Sequence, residues 1–196
     1  MNYPNGRKGK GQPSIRTGQK KNDFANRGMT LENDINETNH FYLETNHAVV
    51  HKKPTPVQIV QVDYPKRSAA VIKEAYFKQA STTDYNGLYK GKYIDFEAKE
   101  TRNVSSLPLA NIHEHQVEHM RKVLQHGGIC FFIIRFSKQE DTYYLPAEFF
   151  IQFWDQQFQG GRKSMPITFI KDHGHSIPFT FQARVDYIKI IDKLYF

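Results

Sequence analysis

A chain of 196 residues, 39% hydrophobic and 24% charged, is long enough for one domain with its own core. No apolar run approaches membrane-spanning length, and no apolar segment follows the basic N-terminus, so neither a membrane span nor a secretory leader is expected. The only cysteine, Cys130, lies in the apolar run ICFFII; this forbids an internal disulfide, predicts an inert buried thiol and fits a cytoplasmic protein.

The formal charge of +7 is unevenly placed. Arg7, Lys8, Lys10, Arg16, Lys20, Lys21 and Arg27 against Asp23 give residues 1–27 a charge of +6 and leave +1 for the rest. A basic arm on a nearly neutral body is a common nucleic-acid pattern, although a solubilising tail has the same composition. Residues 1–26 are rich in Gly, Lys, Asn and Gln and are expected to be disordered when unbound. Residues 27–196 are expected to form a single domain.

In chain order, Thr30 to about Glu44 reads as a helix. Thr30 is the N-cap, Glu32 and Asp34 sit in the first turn, and Leu31, Ile35 and Tyr42 form the apolar stripe. His47 to Lys53 reads as a strand that stops at Pro54-Thr55-Pro56. Val57 to Tyr64 alternates like a strand, PKRS makes a turn, and Ser68 to Lys78 is read as a strand pairing back. A protruding two-stranded arm at 57–78 and an ordinary core hairpin are equally compatible with this pattern. The arm carries Lys66, Arg67, Lys73 and Lys78 against Asp63 and Glu74.

The stretch Ser81–Thr101 is the most informative. A two-residue turn at Lys90-Gly91 leaves a long strand on each side, whereas one at Asn86-Gly87 does not. In that register Asp84 faces Glu97 and Thr82 faces Lys99. Ile94, Phe96 and Ala98 form an apolar face, and Tyr93, Asp95, Glu97 and Lys99 share the other. Opposed Cβ atoms lie roughly 4.5–5.5 Å apart, which lets two carboxylates chelate one hard cation. A solvated outer face with incidental charges is the alternative.

A helix follows from about Asn111 to Gln125, with Val117, Met120 and Leu124 buried and Gly127-Gly128 ending it. If Val117 and Met120 face inward, Gln116 flanks the buried stripe and could bring an amide oxygen or a water contact to a metal; an ordinary surface residue is the alternative. His115 and His119 are four apart, but H-E-x-x-H is absent, so zinc is not expected. Ile129–Phe136 reads as a buried strand and Thr142–Leu145 as a short one. Ala147 to about Phe158 is an amphipathic helix with Phe150, Phe153, Trp154 and Phe158 in a core or subunit interface. Short helices are expected near Pro166–Asp172 and from Val185 to Leu194. No P-loop, G-x-G-x-x-G or G-x-S-x-G occurs, which leaves a nucleotide cofactor and an acyl-transfer serine unsupported.

Helix, strand, strand, strand, helix, strand, with an Asp on the second strand and Glu-x-Lys on the third, resembles the restriction-endonuclease-like fold. That fold is an α/β architecture with a mixed central sheet flanked by helices. Its usual Pro before the Asp is replaced here by Thr83. KKPTPVQIV at Lys52, YPKRS at Tyr64, STTDYNG at Ser81, YIDFEAKET at Tyr93 and HEHQVEHM at His113 further resemble the RecU family of Holliday junction resolvases, from about Asn26 onward.

The resemblance implies a magnesium-dependent endonuclease, with manganese able to substitute, that cuts four-way DNA junctions by paired nicks leaving 5′-phosphates. It implies metal binding by residues matching Thr82, Asp84, Glu97 and Gln116, with catalysis by Asp84, Glu97 and Lys99, the last in transition-state stabilisation. It also implies a homodimer, a stalk near 57–78 projecting between two active sites, and interaction with the RecA recombinase. Arg27, Lys52, Lys53, Lys66, Arg67 and Lys73 are the expected DNA contacts. Another nuclease of the same fold, or a non-catalytic DNA-binding or recombinase-regulating protein, is the competing reading.

Overall fold

The turn at Lys90-Gly91 sets the register of the central hairpin. Lys90 and Gly91 have φ of +45° and +76°, the pair of positive values that a type I′ turn requires. The computed structural model describes residues 30–66, 69–78 and 82–196. The basic arm of residues 1–26, Arg27 and Arg67 lie outside the described residues. Elements run α1 (Leu31–Glu44), β1 (Val49–Lys52), β2 (Val57–Asp63), β3 (Val71–Phe77), β4 (Tyr85–Tyr89), β5 (Lys92–Thr101), β6 (Ser106–Pro108) and α2 (Glu114–Gln125). They continue β7 (Ile129–Phe136), β8 (Asp141–Pro146), α3 (Ala147–Gln156), β9 (Ser164–Pro166), α4 (Ile167–His173), β10 (His175–Ser176) and α5 (Ile188–Tyr195).

The architecture is mixed α/β. Six strands form the central sheet in the order β1-β4-β5-β7-β8-β10, with β5 and β7 parallel and the other pairs antiparallel. α2 supplies the crossover that a parallel pair needs. Strand β7 alternates between two cores, as a strand buried on both faces must. Ile129, Phe131 and Ile133 pack with Ile94 and Phe96 towards Ile35, Tyr42, Tyr187 and Ile191 of the α1 and α5 side. Cys130, Phe132, Ile134 and Phe136 pack towards Val117, Met120, Phe150 and Trp154 of the α2 and α3 side.

α1 is capped as its sequence predicts, with the Thr30 hydroxyl accepting from the Asn33 N–H. The Leu31 N–H donates to Glu100 Oε2 at 2.9 Å, which fixes the start of α1 beside β5. Buried Asp34 pairs with Arg135 of β7 at 2.5 Å and with Arg184 at 3.1 Å.

Among the described residues, strands β2 and β3 pair only with each other, antiparallel. Seven of their apolar side chains (Val57, Ile59, Val60, Val71, Ile72, Tyr76 and Phe77) are exposed, Phe77 to 84%. The hairpin is therefore an arm rather than part of the core. The expected strand at 68–78 narrows to Val71–Phe77. Of the two places expected for Phe158, core or subunit interface, it does not occupy the core. α3 ends at Gln156, and the 3-10 turn Gln157–Gln159 turns Phe158 outward to 68% exposure. β6, β9 and β10, at two or three residues, are too short to show a period in sequence. No helix among the described residues is long and apolar enough to cross a membrane.

Gly87 lets β1 lie against β4. A Cβ there would sit 2.3 Å from the Val49 carbonyl oxygen and 2.7 Å from Val50 Cα. Gly87→Ala is therefore expected to cost about 1–3 kcal/mol, seen as a fall in thermal midpoint of about 2–4 °C per kcal/mol for a domain of this size.

Candidate active site

The registers Tyr85↔Phe96 and Asn86↔Asp95 are those the turn dictates. They carry Asp84, just ahead of β4, to Glu97. The Asp84 N–H donates to Glu97 Oε2 at 3.1 Å, and the Ala98 N–H approaches Asp84 Oδ2 at 3.4 Å. Lys99, two residues along β5, places Nζ 2.6 Å from Glu97 Oε1. Gln116, in the first turn of α2, donates its amide to the same oxygen at 2.8 Å. Four sequence-predicted residues (Asp84, Glu97, Lys99 and Gln116) thus meet at one place. Thr82 lies next to them, its hydroxyl 3.4 Å from the Thr83 carbonyl.

The polar face of β5 is not solvated. Asp95 and Glu97 are both 0% exposed, because α2 crosses over that face. Burial is the main cause that pushes the Glu97 carboxyl up to about 7; Asp84 raises it further, and Lys99 opposes the shift. The Gln116 oxygen accepts from the His113 N–H at 3.1 Å in a capping box, so this residue both starts α2 and holds Glu97. A carbonyl oxygen has a second lone pair, which leaves Gln116 able to serve a cation or its water.

The donor chemistry suits a hard divalent ion. Two carboxylates, an amide and a hydroxyl are oxygen donors, and two opposed carboxylates in a dry site are unfavourable without a cation between them. Zinc has no comparable set. His113 and His115 stack with ring centroids 5.4 Å apart, and His119 turns to Asp95 at 3.2 Å. Among the described residues no group of three or more His, Cys, Asp or Glu is placed to hold a metal. Cys130 is buried, which raises its thiol well above the ordinary value.

The expected DNA contacts divide. Lys66 is exposed beside the arm's turn, and Lys73 is exposed but paired with Asp63 at 3.1 Å. Lys52 pairs with Glu32 at 2.5 Å on the surface. Lys53 points inward, pairing with buried Asp95 at 2.8 Å. Asp95 was visible in sequence as a member of the polar face, but of its partners only Tyr93 is near it in sequence, and Lys53, Thr83 and His119 come from other elements.

A carboxylate pair, Glu97 buried and Asp84 half-buried, flanked by an ammonium on the same strand and an amide on the crossover helix, has the donors for metal-assisted phosphodiester chemistry. The chain belongs to the RecU family: the family model described as Recombination protein U matches residues 26–193. It is 62% identical over 196 residues to the Holliday junction resolvase RecU of Oceanobacillus iheyensis, covering 100% of both chains. It is 59% identical over 196 residues to that of Geobacillus kaustophilus, covering 100% of this chain and 98% of the relative. Among solved structures, the Holliday junction resolvase Hjc of Archaeoglobus fulgidus is a distant likeness, with 10% identity and a TM-score of 0.39 over 70% of this chain and 91% of that one.

The raised Glu97 carboxyl gives a signed pH effect in metal-free buffer. Between its ordinary value of 4.5 and about 7 the folded chain binds more protons than the unfolded one. Stability from this group therefore falls as pH rises through that window. Glu97→Gln is expected to flatten the slope of thermal midpoint against pH between pH 5 and 7.5 relative to wild type.

Proposed function

We propose that this protein is a divalent-metal-dependent endonuclease that resolves Holliday junctions by symmetric nicks, with magnesium as the working ion and manganese as a substitute. The observation that carries this reading is the meeting of Asp84, Glu97, Lys99 and Gln116 at one place around buried Glu97, in a chain that belongs to the RecU family. Residues 27–196 act as one nuclease domain in this reading.

Asp84 and Glu97 would hold the ion, with Thr82 and Gln116 completing or supporting its oxygen donors. When bound, such an ion supplies charge neutralisation at the reacting phosphate. Lys99 holds a positive charge beside Glu97 and would stabilise the charge that develops on the phosphate oxygens as the attacking water adds and the leaving oxygen departs. Gln116 keeps Glu97 oriented towards that centre. α2 closes one side and excludes bulk water, which strengthens every charge interaction inside.

One site cuts one strand, so resolving a junction calls for two sites related by a two-fold axis. A homodimer provides them. Phe179 and Phe181, at 61% and 95% exposure, are available apolar surface for such a contact. Modulation of the RecA recombinase and a cytoplasmic location belong to the same reading.

Phosphate contacts alone cannot tell a junction from duplex. The β2–β3 arm supplies shape, and its turn carries exposed Lys66. Arg27 and the basic segment before it would add phosphate contacts in this reading.

Asp84→Asn and Glu97→Gln are each expected to abolish cleavage of a labelled four-way junction in Mg²⁺ while junction binding in chelator stays near wild type. Lys99→Ala is expected to slow cleavage by about 10²–10³-fold. Wild-type cutting by either carboxylate variant would remove the metal reading. Replacing the arm's turn with Gly-Ser should weaken junction-over-duplex preference while sparing the fold, and Lys66→Ala should lower the salt slope of binding by about one. An unchanged preference would assign selectivity elsewhere.

A further inference from the structure

Beside the carboxylate pair lies a second buried acid that the catalytic reading does not use. Asp95 is 0% exposed and sits two residues before Glu97 on the same face of β5. Its Oδ2 accepts from Lys53 Nζ at 2.8 Å and from the Tyr93 hydroxyl at 2.9 Å, and meets His119 Nε2 at 3.2 Å. Its Oδ1 accepts from the Thr83 hydroxyl. Lys53 Nζ also donates to Thr83 Oγ1 at 2.8 Å, and the Lys53 N–H donates to the Asp84 carbonyl at 2.8 Å.

These partners come from the elements that bear the candidate metal donors. Thr83 is bonded in sequence to both Thr82 and Asp84. Lys53 grips the same turn through its backbone and its side chain. His119 lies on α2, three residues after Gln116. Tyr93 lies on β5 itself. A buried carboxylate surrounded by donors that are themselves fixed holds those donors at set distances, since releasing any of them leaves a dry charge less well satisfied.

We propose that Asp95 is a positioning residue for the metal site, acting through Thr83 and Lys53 to hold the turn that carries Asp84 against Glu97. The proposal rests on Asp84 and Glu97 being the metal carboxylates. It gives a physical role to Thr83 in the place where this fold's motif usually has Pro. A proline would fix the turn through its ring; here a hydroxyl does so through a hydrogen bond to Asp95.

The test uses the full chain and Mn²⁺ alone, with free Mn²⁺ read by electron paramagnetic resonance and thermal midpoints measured in metal-free buffer. Thr83→Val keeps the side-chain shape, removes the hydroxyl, and leaves Asp95 its three other partners. It is expected to weaken Mn²⁺ binding about ten-fold, in line with the effect of losing a group that orients a metal ligand. Thr83→Ala should weaken binding similarly and serves if the valine variant folds poorly. Thr83→Ser should restore near wild-type affinity. Tyr93→Phe also removes a donor to Asp95, together with an acceptor for Asn86 of β4, but no bond to Thr83 or Asp84, and is expected to stay within about two-fold of wild type. Junction cleavage by Thr83→Val should recover towards wild type as Mn²⁺ is raised.

Wild-type Mn²⁺ affinity in both Thr83→Val and Thr83→Ala would overturn the clamp, and so would equal weakening in Thr83→Ser or in Tyr93→Phe. A wild-type chain that bound no Mn²⁺ would overturn the metal reading and the clamp with it.

Discussion

Two carboxylates buried on one face of β5 dictate the arrangement around them. Asp95 and Glu97 are fully removed from solvent. Taking a carboxylate out of water carries a desolvation cost of several kcal/mol unless charges and hydrogen bonds replace the lost hydration. The replacement comes from every neighbouring element: Lys53 after β1, Thr83 and the Asp84 N–H before β4, Lys99 on β5 itself, Gln116 and His119 on α2. The two acids therefore act as organising points. Chain segments that are far apart in sequence are drawn to them, and the place where they converge is the candidate site.

The opposite face of β5 shows the complementary constraint. Ile94 and Phe96 are buried among Phe131, Tyr144 and Tyr187, and the Phe96 ring stacks on Phe131 with centroids 4.7 Å apart. This apolar packing fixes which way β5 faces. A one-residue slip would drive the acids into the hydrophobic core and the aromatic rings under α2. Register is thus enforced from both sides, by burial of apolar area on one and by charge satisfaction on the other. Arg121 of α2, paired with Asp155 of α3 at 2.7 Å, braces the helix that closes the polar side.

Much of this was legible because it is local. A Lys-Gly turn between two alternating segments admits one register with long strands, and that register opposes Asp84 to Glu97 without tertiary information. The caps of α1 and the Gly-Gly stop after α2 are likewise written in adjacent residues. What stayed hidden depends on which distant element covers which face. Nothing near Asp95 in sequence says that α2 buries it. Lys53 was an expected DNA contact through the family resemblance, and its pairing with Asp95 and Thr83, 42 and 30 positions away, has no local signal. Phe158 was placed with the core or interface residues of α3 because the helical period was extended past the point where a 3-10 turn breaks it. The two-stranded arm was open in sequence because its alternation suits either location. Only its lack of any third strand distinguishes it.

That arm has a thermodynamic consequence. Its backbone bonds run only between β2 and β3, and its apolar side chains contribute little to either core. A two-stranded ribbon of this kind is marginal by itself in water. With few apolar contacts to either core, its amides are expected to exchange with solvent through local opening rather than through loss of the domain. The chain thus joins a stiff chemical centre, whose geometry is tied down by buried charge, to a soft appendage whose shape is free to follow what it meets. Substitutions in the arm can retune that compliance without disturbing the register that aligns Asp84 with Glu97.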